Sequence, residues 1–202
     1  MTTKSSGRIY VDACIAIELA KYLLQRHRPD REDALWFVRQ MLKASECGDI
    51  ELMTSSLTVV ESLHLGKDEQ GKDVECTPEI QEFLVNLLTS GSLITLVEPS
   101  LFVAERARDL RWKDGLSLKP FDSLHVASAL DSECKELITF DGKMNKKPEE
   151  ITTLANLGLR VISPHDSQIL PESYRQQALA LKPPKTPKTL KELHAPATRT
   201  IQ

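Results

Sequence analysis

The sequence predicts an α/β fold in which a parallel sheet is covered by helices on both faces. Short β-branched or apolar runs alternate along the chain with segments of helical spacing, and such alternation builds a parallel sheet through right-handed crossovers. One helical segment, Lys119–Leu130 (KPFDSLHVASAL), is almost wholly apolar with small residues interleaved, so it belongs in the interior. With 202 residues, 41% of them hydrophobic, the chain suits one domain with decorations and can build a substantial core.

Arg8–Ala13 (RIYVDA) reads as the first strand, with Asp12 at its carboxyl end, and Cys14–Leu24 has helical character. Pro29-Asp30 opens a second helix through Ala34, Leu35, Val38, Met41 and Leu42, with Gly48 placed as its C-cap. Ile50–Thr54 is the second strand, and Ser55-Ser56 starts a helix running through Leu65. From Gly66 to Thr77 the chain turns polar and charged and reads as a flexible loop or lid, before a helix over Pro78–Thr89 that Gly91-Ser92 breaks. Leu93–Val97 (LITLV) is the third strand. Pro99-Ser100 opens a helix whose Leu101, Ala104, Ala107, Arg108 and Leu110 share a packing face. In the central helix Pro120 stiffens the entry and Asp122 takes the N-cap position. Glu136–Phe140 is the fourth strand, ended by Asp141-Gly142, and Leu159–Ile162 the fifth, ended by Ser163-Pro164. After Gln168 the chain becomes poor in apolar residues and rich in proline and lysine. A domain over 1–168, with an insertion at 66–89, is therefore expected to precede a disordered basic tail at 169–202.

Composition excludes several classes. No apolar run approaches the roughly 20 residues that cross a bilayer, and MTTKSSGR lacks the apolar core of a signal peptide, so a cytoplasmic location is expected. Cys14, Cys47, Cys76 and Cys134 form no CxxC pair, which points to reduced, buried thiols rather than disulfides or zinc. A net charge of −3 argues against a protein that coats nucleic acid by charge alone. The charge is uneven: residues 174–202 carry +5 and the remaining body −8, so the tail could hold RNA electrostatically or serve only as a soluble extension.

The acids carry the chemistry. Asp12 and Asp141 end strands and Asp122 begins the buried helix, which puts all three at one edge of the sheet, where sites of such folds gather. Glu61 shares its helical face with Leu57, Val60, His64 and Leu65, so its carboxylate must be neutralised, paired or bound to a metal. Converging acids repel one another, and a divalent cation relieves this. Mg²⁺ or Mn²⁺ prefers such oxygen ligands and retains water, the requirement for hydrolysing a phosphodiester, with two ions about 4 Å apart as the fullest form.

VDACIAI around Asp12, TSSLTVVES around Glu61, FDSLHVASAL around Asp122 and LITFDGKM around Asp141, with the closing GLRVISP, occur in order over Arg8–His165. In this the sequence resembles the PIN-domain ribonucleases, including the VapC-type toxins of toxin–antitoxin pairs. The resemblance implies a three-layer α/β/α fold with strand order 3-2-1-4-5, metal-dependent cleavage of RNA, and frequent homodimers. It maps the acidic site onto Asp12, Glu61, Asp122 and Asp141 as Mg²⁺ or Mn²⁺ ligands, with Thr139 as the residue orienting a ligand or water. An antitoxin partner is implied at family level only. Where many members carry a further acid and an aromatic, this chain has Lys143 and Met144, which lessens the hold on a second ion. Lys143 then either contacts a phosphate or faces solvent.

Other readings are weighed against the same residues. Glu61-x-x-His64 and Asp122-x-x-His125 match a di-iron helical bundle, but the alternation of strands and helices denies the four long helices that site needs. His125 is instead expected to be a satisfied core residue or a support for a ligand, and Trp36 and Trp112 partly buried anchors outside any base-stacking patch. A phosphoacceptor receiver domain shares the sheet but needs a paired acid beside Asp12 and a lysine where Ser163-Pro164 stands. The remaining rival is a non-catalytic module that binds RNA or protein through the same fold.

Overall fold

The structure is a computed structural model that describes residues 7–142, 144 and 147–176. Five strands, β1 (Gly7–Val11), β2 (Ile50–Ser55), β3 (Thr95–Val97), β4 (Glu136–Ile138) and β5 (Arg160–Ile162), form one sheet in the order β3-β2-β1-β4-β5. Every neighbouring pair is parallel, with Ile9 opposite Leu52 and Val11 opposite Ile138. The expected fold class is therefore the observed one. β1 lies centrally, and the chain runs outward from it first toward β3 and later toward β5, which makes a topological switch point between β1 and β4.

Alternation along the strands builds two cores. Ile9, Val11, Ile50, Leu52 and Ile138 face a layer containing α1 (Ala13–Leu23), α2 (Glu32–Glu46) and α4 (Pro78–Thr89). Tyr10, Met53, Leu137 and Val161 point the other way, against α5 (Leu101–Trp112), α6 (Pro120–Asp131) and α7 (Pro148–Asn156). Burial on both faces explains why the strands read as short, nearly continuous apolar runs. α6 packs between α5 and the sheet, and His125, Val126, Ala127, Ser128 and Ala129 are all buried, as its small apolar sequence requires.

The structure moves several expected features. α3 (Leu57–Glu61) stops at Glu61 instead of continuing through Leu65. The chain turns there to bury Leu65 while His64 and Leu63 stay exposed, so neither His64 nor Leu65 shares a helical face with Glu61. The N-cap of α6 is Lys119, with Pro120 at the first helical position, where its missing N–H costs nothing; Asp122 sits in the first turn and does not cap. On α5 the packed residues are Val103, Ala107 and Leu110, whereas Leu101, Ala104 and Arg108 are exposed. Trp112, expected as a partly buried anchor, is 74% exposed. Cys47 is exposed rather than buried.

The 66–77 segment is tied down, not a free loop. Lys67 and Asp73 form a β-bridge, Asp68 accepts from the Lys72 amide at 2.9 Å, and the Arg26 guanidinium pairs with the Asp68 carboxylate. α7 and the short α8 (Glu172–Arg175) join the expected elements. The boundary expected after Gln168 falls later, because Leu170 is fully buried and the Tyr174 hydroxyl donates to Asp49 at 2.7 Å. Residues 177–202 of the basic tail, and Lys143, lie outside the described residues. Among the described residues no helix is long and apolar enough to cross a membrane.

Candidate metal centre

The candidate site lies at the switch point. Asp12 follows the last residue of β1 and is the N-terminal flanking residue of α1, yet its side chain makes no capping bond. Its amide donates to Ile138 O at 3.0 Å, which anchors the backbone to β4 and leaves the carboxylate for other partners. The Thr139 hydroxyl, one residue past β4, donates to Asp12 Oδ2 at 2.6 Å. That same Oγ1 accepts the Asp141 amide at 2.9 Å, so one buried hydroxyl sets both the Asp12 carboxylate and the turn that bears Asp141.

Cys14 completes this clamp. Its thiol donates to Asp12 Oδ2 at 3.1 Å and accepts the Phe140 amide at 3.2 Å. Burial, and then the charge of Asp12, push the thiol well above its ordinary pKa, so it stays a protonated donor. The Phe140 ring is in turn covered by the Arg31 guanidinium, 4.9 Å from its centroid, and Arg31 pairs with buried Glu18 at 2.9 Å.

Asp122 enters from α6. Its pKa is raised, first by burial and then by the charge of Asp12, with Asp141 adding to it against the opposing pull of Lys119. The electrostatics thus join Asp12, Asp122 and Asp141 in one field, and among the described residues the pull of Lys119 does not restore Asp122 to its ordinary value.

Glu61 stands apart. Its Oε2 is 2.6 Å from Nε2 of His125, whose Nδ1 is 2.9 Å from the Tyr10 hydroxyl. Burial raises the Tyr10 pKa, so the phenol remains a donor; with the imidazole proton on Nε2, Tyr10 donates to His125 and His125 donates to Glu61. His125 is 1% exposed and also lies 3.8 Å from Asp12 Oδ1. Among the described residues no group of three or more His, Cys, Asp or Glu side chains is gathered as a ready-made ligand cluster. The structure therefore brings Asp12, Thr139 and Asp141 together by hydrogen bonds and Asp122 by its field, and it links Glu61 to them through His125.

Over residues 9–150, most of the chain, the sequence matches the family model of the PIN domain. The chain belongs to the PIN-domain family. No individual curated protein matches it at a significant level. PIN domains are in general nucleases that require divalent metal ions, and the match spans β1 with Asp12, α3 with Glu61, α6 with Asp122 and the Asp141 turn. Reading the sequence missed the part played by Cys14 and Tyr10. Nothing in VDACIAI marks Cys14 as more than a small apolar residue; only its place two residues after Asp12 and beside the β4 exit reveals it. His125 is the satisfied buried residue that the sequence suggested, with a partner at each ring nitrogen.

Proposed function

We propose that this PIN domain is a metal-dependent endoribonuclease whose site is Asp12, Glu61, Asp122 and Asp141, with Thr139 and Cys14 orienting Asp12. The observation that carries the reading is the gathering of Asp12 and the Asp141 turn on the Thr139 hydroxyl, with Asp122 near enough that burial first, and then the charges of Asp12 and Asp141, raise its pKa; a divalent cation would relieve that cost. The donors are all hard carboxylate oxygens, so they fit Mg²⁺ or Mn²⁺ rather than a soft metal. Asp12, Asp122 and Asp141 would hold the ion, with Glu61 contributing once its bond to His125 is exchanged. When bound, the ion supplies Lewis-acid activation of water and neutralises charge at the phosphodiester. The chain's own part is positioning: Thr139 and Cys14 both donate to Oδ2 of Asp12, while Oδ1 lies 3.8 Å from His125 Nε2.

Cleavage of labelled single-stranded and folded RNAs with Mg²⁺, Mn²⁺ or EDTA, wild type against Asp12→Asn, tests this. Metal-dependent cutting that disappears in the variant is expected; equal cutting by both proteins would overturn the site. A second reading, a non-catalytic RNA- or protein-binding module, draws on the commitment of Glu61 to His125, and it predicts RNA binding without metal-dependent cutting. The further assignments, a cytoplasmic VapC-type toxin acting as a homodimer and held by an antitoxin, rest on the resemblance of the four motifs alone. Growth arrest on expression, relieved by Asp12→Asn, is the result they require.

A further inference from the structure

The face formed by α5 and α6 carries a groove that the chemistry above does not use. Its cavity of about 340 Å³ lies over Leu118 and Leu124, with Pro120 at one side and Arg108, Arg111 and Trp112 around it. That volume is at the small end of the roughly 300–1,000 Å³ of ligand pockets, the scale of a base with its sugar. Trp112 is 74% exposed, although tryptophan is on average a heavily buried residue. The Arg108 guanidinium stands 5.2 Å from its ring centroid and is itself held by two hydrogen bonds to Asp109 Oδ1. The side chain of Arg111, also exposed, has no ion pair or hydrogen bond among the described residues. None of the described residues lining the groove is acidic, although the body of the chain carries a net negative charge.

An apolar slot, an aromatic plane beside a guanidinium and a second, unneutralised guanidinium are the parts that hold a base by stacking and its phosphate by charge. The groove reaches the start of α6, the helix that carries Asp122. Pro120 lines it, and Asp122 lies on the same first turn of α6. A strand seated there would lead its backbone around the start of α6 toward the carboxylates.

We propose that the α5–α6 groove is a stacking subsite for one base of single-stranded RNA, with Trp112 as the platform and Arg111 as the phosphate contact. The subsite rests on the ribonuclease reading above, and it assigns these residues to substrate affinity rather than to the chemical step.

The test uses the full chain with Asp12→Asn to prevent cutting, and the fluorescence anisotropy of a labelled, mixed-sequence single-stranded RNA of twelve nucleotides. Trp112→Ala is expected to weaken binding by about 5- to 150-fold, the range for loss of one stacked base, and Trp112→Phe to retain most of it. Arg111→Gln should lower the salt slope of log affinity by about 0.7, one phosphate contact to a single strand. With Asp12 restored, Trp112→Ala should raise KM while leaving kcat unchanged, a split that misfolding would not produce. RNA affinity unchanged in Trp112→Ala overturns the subsite. If the same variant turns a dimer into a monomer with RNA affinity intact, the groove is an interface between two copies and the proposal fails in that way. If wild type cuts RNA but Trp112→Ala binds and cuts it equally, only the subsite is lost. RNA neither bound nor cut by any form removes the ribonuclease reading and the subsite with it.

Discussion

Single side chains at the switch point can be interrogated by charge and by reactivity. The raised pKa of Asp122 means that the native state holds its proton more tightly than the unfolded chain does. Its ionised form therefore destabilises the metal-free protein at any pH above the folded value, and the penalty vanishes below the unfolded value of about 4. Asp122→Asn should accordingly melt higher than wild type in EDTA at pH 7.5, with the gap closing toward pH 4, and thermal scans at the two pH values check it. A variant that melts lower at pH 7.5 would show that burial and the neighbouring charges do not penalise the ionised Asp122. The thiols offer a second probe. Cys134 is buried and its pKa is pushed up to about 12, and Cys14 is likewise held protonated, whereas Cys47 is exposed. Iodoacetamide should label Cys47 in the native protein well before Cys14 or Cys134, as timed mass measurement would show.

At the level of elements, the helix starts divide into two kinds. α4, α6 and α7 each open with proline at the first helical position, preceded by an extended residue, whereas α5 opens on Ser100, whose Oγ accepts the Val103 amide at 3.3 Å. Ser100→Ala should cost about 0.5–2 kcal/mol by denaturant titration, with an unchanged slope, because it removes one cap and exposes no new surface. These signals are legible in the sequence: PE, KPFD, KPEE and PS each mark a helix start. The extent of α3 was not legible. Leu57, Val60, His64 and Leu65 fit a continuing apolar face, but burying Leu65 in the core requires the chain to leave the helix at Glu61, and spacing carries no information about that competition. Asp122 shows the same limit in miniature. Both proline and aspartate signal a helix start, and the proline takes precedence because its fixed φ suits the first helical position.

For the molecule as a whole, the carboxyl-terminal segment is part of the fold as far as Gln176. Glu136, 1% exposed, collects Arg160 Nη1 at 3.0 Å, Ser167 Oγ at 2.6 Å and the Gln168 amide at 2.8 Å, which bolts the last turns to β4. Leu170 then fills the core beneath α2 with no exposed surface, and the side chain of Ile169 packs over Gly7, where an added Cβ would meet its Cγ2. Leu170→Ala should cost about 2–5 kcal/mol, the range for emptying a packed leucine site. A loss under 0.5 kcal/mol in urea unfolding would return the segment to the status of a tail. Proline and lysine content after Gln168 concealed this, because composition averages over a window and so misses one anchoring leucine.

The sequence by itself determined the layered α/β class and the order of its elements. It also offered Asp12, Glu61, Asp122 and Asp141 as candidates for a site, since hydrophobic periodicity, turn residues and strand-end acids are local features of the chain. What only the tertiary structure decided is which groups meet: Thr139 and Cys14 on Asp12, His125 between Tyr10 and Glu61, Leu170 in the core, and Trp112 left in the open beside Arg108. Those contacts join residues far apart in the chain. They follow from the β1–β4 register and from how deeply each side chain is buried, quantities set by the packing of the whole sheet and its helices rather than by any local run of residues.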